Sequence, residues 1–247
     1  MNKIMHRNSF FTLVNMKKSI SPAITGVLFL LPIVVEAQIS EDKLGAWYMY
    51  FFNTSFKESS LGVQGDVQYR NWNMAGDLEQ LMLRGGITYE PKQAQIKLTI
   101  GYANITSGSF GSDNSITTEN RIYQEALFPV RFGDRFYTNH RFRFEQRFVE
   151  SQDLRTRYRY NLFLNIPLNS TEMDKRTLYL ALYNEIFING QRNIGDENSV
   201  EIFDRNRLYG AIGYVIKKGI NVQLGLMNQT TNNWSKKQLQ LSFHQKI

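Results

Sequence analysis

Between Arg141 and Ile166 the chain writes two neighbouring segments in which arginine alternates with aromatic or aliphatic residues. They read RFRFEQRF over 141–148 and LRTRYRYNLFLN over 154–165. Successive side chains of a β-strand point to opposite faces, so each segment carries a guanidinium face and an apolar face. One such pair suits a soluble sandwich as well as a membrane barrel. How often the pattern recurs, and what precedes it, separates the two.

It recurs along the chain after Gln38, where no stretch of a dozen residues shows helical spacing of its apolar positions. Leu61, Val63, Val67 and Tyr69 alternate with Gln64, Asp66, Gln68 and Arg70, and Leu81, Leu83, Ile87 and Tyr89 with Met82, Arg84 and Thr88. The same holds for Leu178 to Ile188, Leu208 to Ile216, Ile220 to Leu226 and Leu239 to Ile247. These runs exceed the five or six residues usual for soluble strands and suit the roughly 9–11 that cross a bilayer with tilt. Half the strand positions are polar, which gives a mean hydropathy of −0.38 and excludes a helical membrane protein.

Residues 16–37 read MKKSISPAITGVLFLLPIVVEA. Lys17 and Lys18 precede an apolar stretch too short for a transmembrane helix, and Val35 and Ala37 fit a cleavage site. The pattern predicts a cleaved signal peptide over 1–37, with Met16 as an alternative start, and a mature domain over 38–247. Without Lys3, Arg7, Lys17, Lys18 and Glu36, the 29 basic and 22 acidic residues of the whole chain leave an excess of about four positive charges. That charge is dispersed among strands, so nucleic acid is not an expected partner. The chain has no cysteine and therefore no disulfide.

Eleven runs can be counted. Single-chain bacterial barrels have even strand numbers, so the pattern predicts an antiparallel up-and-down transmembrane barrel of twelve strands, or ten if 45–53 lies outside the sheet. Short links at 91–94, 131–134 and 217–219 alternate with longer ones at 71–77, 107–118, 190–200 and 230–237, the second set expected to face outward. The link at 169–176 breaks this alternation.

With apolar faces on lipid, the expected lumen lining is Arg70, Arg84, Arg141, Arg143, Glu145, Arg147, Arg155, Arg157, Arg159, Glu185, Arg205 and Arg207. The opposite orientation would cost about 2–4 kcal/mol for each arginine near the bilayer midplane, and four of them would consume the ~5–15 kcal/mol stability of an ordinary domain. Pairing the 141–165 hairpin across ESQD places Arg147 opposite Arg157 and Glu145 opposite Arg159. Like charges so placed need intervening carboxylates or bound anions. Two readings stay open: an electropositive pore for small anionic solutes, or a lumen plugged by arginines neutralised through Glu125, Glu145 and Glu185.

Catalytic, metal and cofactor motifs are not found. No Ser or Asp stands at a suggestive spacing to His140 or His244, and HExxH and Gly-rich phosphate loops do not occur. A barrel hydrolase is the most distant alternative. A Ser–His contact in the lumen would be the observation in its favour.

The ordered strings GAWYMYF (45–51), VQYR (67–70), LRGGITYE (83–90), TIGYAN (99–104), HRFRFEQRF (140–148), RTRYRYNLFLNIPL (155–168), YNEIFIN (183–189), FDRNRLYGAIGY (203–214) and LGLMNQ (224–229) carry a further signal. Together they resemble the domain of unknown function 2490 family of outer-membrane β-barrel proteins of Gram-negative cells. The resemblance implies a fold and a location in the outer membrane; it implies no activity, cofactor or substrate.

Overall fold

The computed structural model describes residues 39–40, 44–110 and 115–247; the expected signal peptide and cleavage site over 1–37 lie outside the described residues. All of its regular structure is β. The strands are β1 (Ile39–Ser40), β2 (Gly45–Ser55), β3 (Leu61–Asn71), β4 (Leu78–Tyr89), β5 (Lys97–Gly108), β6 (Ile116–Phe132), β7 (Phe136–Val149), β8 (Arg155–Pro167), β9 (Leu178–Asn189), β10 (Phe203–Lys217), β11 (Ile220–Thr230) and β12 (Trp234–Lys246).

From β2 to β12 each strand pairs antiparallel with the next, and β12 then pairs with β2 in parallel, closing the ring. The barrel has eleven strands, not the predicted twelve or ten. Two-residue β1 pairs with β12 at Trp234 and Ser235, ahead of β2 on β12, and adds no stave of its own. The even-number expectation fails because it assumes an antiparallel seam. A parallel seam, with evenly spaced slanted hydrogen bonds, closes an odd ring and leaves no free edge. The purely antiparallel expectation is corrected with it: the sheet is mixed.

The predicted faces are the observed ones. Ile87, Ile100, Ile212, Leu224 and Leu226 are each at least half exposed on the outside, while Thr88, Thr99, Ala211 and Met227 beside them point inward and are buried. One side of the interior is apolar, with Trp47, Tyr179, Ala181, Tyr209, Ala211, Val215 and Met227 packed together. Glycine makes room for this filling at two places. The Tyr123 ring lies on Gly101 and the Tyr179 ring on Gly213, where an added Cβ would sit 2.2 Å from Cζ in each case.

The loop alternation is weaker than the sequence suggests. One rim carries the links 72–77, 150–154, 190–202 and 231–233, with the ends Gly108 of β5 and Ile116 of β6; the other carries 56–60, 90–96, 133–135, 168–177 and 218–219. The polar stretch 230–237 is mostly strand, because Lys236 turns into the lumen and is buried. On the second rim the link 168–177 is a built loop. Arg176 N donates to Val215 O, Tyr137 Oη to Thr171 O, and Met173 packs against the interior apolar cluster.

Candidate functional site: the charged lumen

Strands β6, β7 and β8 place three rows of alternating inward side chains side by side. Arg147 stands between Arg121 and Arg155, Glu145 between Tyr123 and Arg157, and Arg143 between Glu125 and Arg159. The predicted hairpin register is therefore two residues off. The tight turn sits at Val149–Gln152, with Ser151 at a φ of 59°, and Asp153 N is drawn away to Ile194 O.

Carboxylates interleave with these guanidiniums. Glu119 accepts from Arg121 Nε at 2.6 Å and Arg147 Nε at 2.5 Å. Glu145 accepts from Arg157 Nη2 and Arg159 Nη1, both at 2.6 Å. Glu125 takes Arg143 at 2.7 Å, and Glu185 takes Arg141 at 2.7 Å and Arg159 at 2.5 Å. Further round the wall Asp66 pairs with Arg84, and Asp204 with Arg157 and Arg205. Charge-assisted bonds of this length are the strong class, and a buried charge is tolerated only when so paired. The aromatic residues help: Arg143 lies over Tyr123 at 4.4 Å, and Arg159 over Phe187 at 4.4 Å.

All twelve sequence-predicted lining residues belong to the inward-facing rows. Nine join the ion-pair network. Arg155 instead turns to Gln152 in its own hairpin link, while Arg70 and Arg207 are held by glutamines. Sequence reasoning missed Glu119, Arg121 and Asp204, and set Asp66 on the polar face without naming it as the partner of Arg84. Glu119 and Arg121 do sit in period two with Tyr123 and Glu125, within a run that Gln124 and Pro129 make irregular. Asp204 sits at a register shift, which no periodicity can place.

A cavity of about 470 Å³ lies inside this network, faced by Trp47, Arg70, Arg84, Arg143, Arg207 and Tyr209 among others. Ser242 Oγ and His244 Nε2 meet at 2.9 Å on its wall. That is half of a nucleophile–base arrangement. The imidazole is stacked on Phe51 at 4.7 Å, and no side chain orients its Nδ1 among the described residues. The described residues also contain no group of three His, Cys, Asp or Glu able to hold a metal.

The family model described as "Protein of unknown function (DUF2490)" matches residues 44–240. The chain belongs to this family. The DUF2490 match begins at the edge of β2 and runs into β12, so it takes in nearly the whole ring and its charged interior. No curated protein and no solved structure matches the chain.

Proposed function

We propose that this DUF2490 chain is an outer-membrane β-barrel whose lumen is closed by its own ion-pair network, and that it holds a solute in the remaining cavity instead of passing it by free diffusion. One observation carries the closed reading: most charged side chains of the lumen are almost out of reach of water, with Arg141, Arg155 and Arg205 among the partly buried ones. Glu145 is 1 % exposed, Arg157 and Glu185 3 %, and Arg143 6 %. A water-filled channel keeps its lining wet, whereas small barrels fill with side chains. The membrane half of the proposal is supported by the apolar outer belt, to which strands all round the ring contribute. A belt of exposed large apolar side chains running round a whole protein is rare in soluble monomers. The signal-peptide pattern of the leader agrees with it.

The test is electrical. Reconstituted in a planar bilayer, the barrel should carry no steady current. A steady anion-selective current that loses its selectivity in an Arg143→Gln/Arg157→Gln variant would overturn the closed reading in favour of the second one, a passive pore for small anionic solutes, for which the arginine-rich cavity speaks. Flotation with lipid vesicles tests the location: recovery in the soluble fraction would count against it. No catalytic role is proposed, since the Ser242–His244 contact lacks a third group.

A further inference from the structure

Among the described residues, two arginines deep in the lumen are treated differently from the rest. Arg84, Arg121, Arg141, Arg143, Arg147, Arg157, Arg159 and Arg205 each have a carboxylate in ion-pair contact. Arg70 and Arg207 have amides. Arg70 donates Nε and Nη2 to Gln68 Oε1 at 3.1 and 2.6 Å, and Nη1 to Gln80 Oε1 at 2.8 Å. Arg207 donates Nε to Gln229 Oε1 at 2.7 Å.

Both guanidiniums lie over the Trp47 indole, at 3.8 and 4.9 Å from its centroid, and Arg207 also lies over Phe187 at 4.7 Å. Glu79, which accepts from Trp47 Nε1 and Gln238 Nε2, forms no ion pair with either arginine. Glutamine orients a guanidinium without cancelling its charge. Glu79, Asp66 and Glu185 act on these two cations only from beyond ion-pair distance, and two buried like charges around one indole with no carboxylate in contact remain costly unless an anion comes to them.

A second observation concerns donors on the β7 wall of the same cavity. Arg143, which is 94 % buried, has an Nη1 group with no hydrogen-bond acceptor, and Arg141 Nε lacks one too. The cavity of about 470 Å³ falls within the ~300–1,000 Å³ of small-molecule sites. It has more room than a bare ion needs. Stacked Tyr183 and Tyr209, 4.6 Å apart, give it an aromatic flank on which a ring can lie.

We infer that Arg70 and Arg207, set around Trp47, form a binding site for the oxyanion of a small organic solute, a carboxylate or phosphate ester carried on a sugar-sized body. This rests on the closed-lumen reading only for how long the solute stays. Conductance and binding are separate readouts, so a barrel that conducts and binds would sink the former and keep this one.

The test is titration of the full barrel in zwitterionic detergent with glucuronate, glucose 6-phosphate and glucose, followed by calorimetry and by tryptophan emission. At least one of the two anions should bind saturably and change the emission, and glucose should not. Trp47→Phe should remove most of the emission change while calorimetric binding persists. Arg207→Gln should weaken binding by about tenfold or more, the scale of one charge-assisted contact. If that variant does not fold, Gln229→Glu, which puts a carboxylate on Arg207, should fold and weaken binding likewise. Failure of both anions to bind folded barrel, binding of glucose as tight as theirs, or unchanged affinity in Gln229→Glu would overturn the inference.

Discussion

Arg143 and Arg159 stand directly opposite one another on β7 and β8, a buried like-charge pair in the lumen. Neither bonds to the other. Glu125 holds the first, Glu145 and Glu185 hold the second, and Glu145 lies 3.8 Å from Arg143 Nη1 as well. The carboxylates therefore act as mortar between guanidiniums rather than as partners in isolated pairs, and removing one exposes several cations to each other.

Glu145 is where that shows most. It is in ion-pair range of Arg121, Arg143, Arg157 and Arg159. Glu145→Gln should destabilise the barrel by about 3–5 kcal/mol, the cost of leaving a buried charge uncompensated, read as a lower urea midpoint in lipid vesicles. A shift below about 0.5 kcal/mol, as at ordinary surface positions, would mean that water reaches this part of the lumen.

The outer belt makes a different prediction. Leu224 points outward near the middle of β11 and is 54 % exposed. In a bilayer Leu224→Arg should cost about 2–4 kcal/mol. In a water-soluble barrel it should cost within about 0.5 kcal/mol. Comparing unfolding of the two proteins in vesicles decides between them.

How much of this could be read from the sequence depends on the length scale. Strand positions and faces were legible because the side-chain period of two is local: Leu224 and Leu226 announce an outward face without reference to any other strand. Register was not. Whether Arg147 meets Arg155 or Arg157 is decided by Ser151 entering the left-handed region and by a hydrogen bond from Asp153 to Ile194, in a loop some forty residues on. The strand number failed for a related reason: the direction of pairing between β12 and β2 is a property of the closed ring, and no segment carries it. Of the site, the arginines announced themselves through alternation. Asp66 showed its face but not its partner, because its pairing with Arg84 depends on the cross-strand register, and Glu119 showed neither, because its run is irregular.

Packing inside the ring supplies a third test. Gly213 gives the Tyr179 ring its seat, and Tyr179 Oη donates to Asn221 Oδ1 at 2.8 Å. Gly213→Ala should push the ring off and cost about 1–3 kcal/mol, the range for overpacking. Tyr179→Leu added to it should cost less than the two single changes together, in a double-mutant cycle of urea midpoints. Strict additivity would mean that the ring and the glycine do not touch.

The second-rim loop should respond to acid. Glu172 accepts from Arg131 Nη2 at 2.8 Å and from Tyr137 Oη at 2.9 Å. These contacts, Arg131 first, hold its carboxyl below the usual carboxylate range. A lowered native value means that the contribution is present at neutral pH, above the unfolded value, and is lost as pH falls through the lowered one. Amide exchange of 168–177, corrected for intrinsic rates, should thus become less protected in acid. In Glu172→Gln it should lose that dependence; identical profiles for the two proteins would refute the assignment.

The parallel seam has one more consequence, for where the chain enters and leaves. Because β2 and β12 run the same way, the polypeptide threads into the ring at one mouth and exits at the opposite mouth. If the barrel spans a membrane, a label just ahead of Gly45 and one after Ile247 lie on different sides of it. A single impermeant reagent added from outside would find one and not the other.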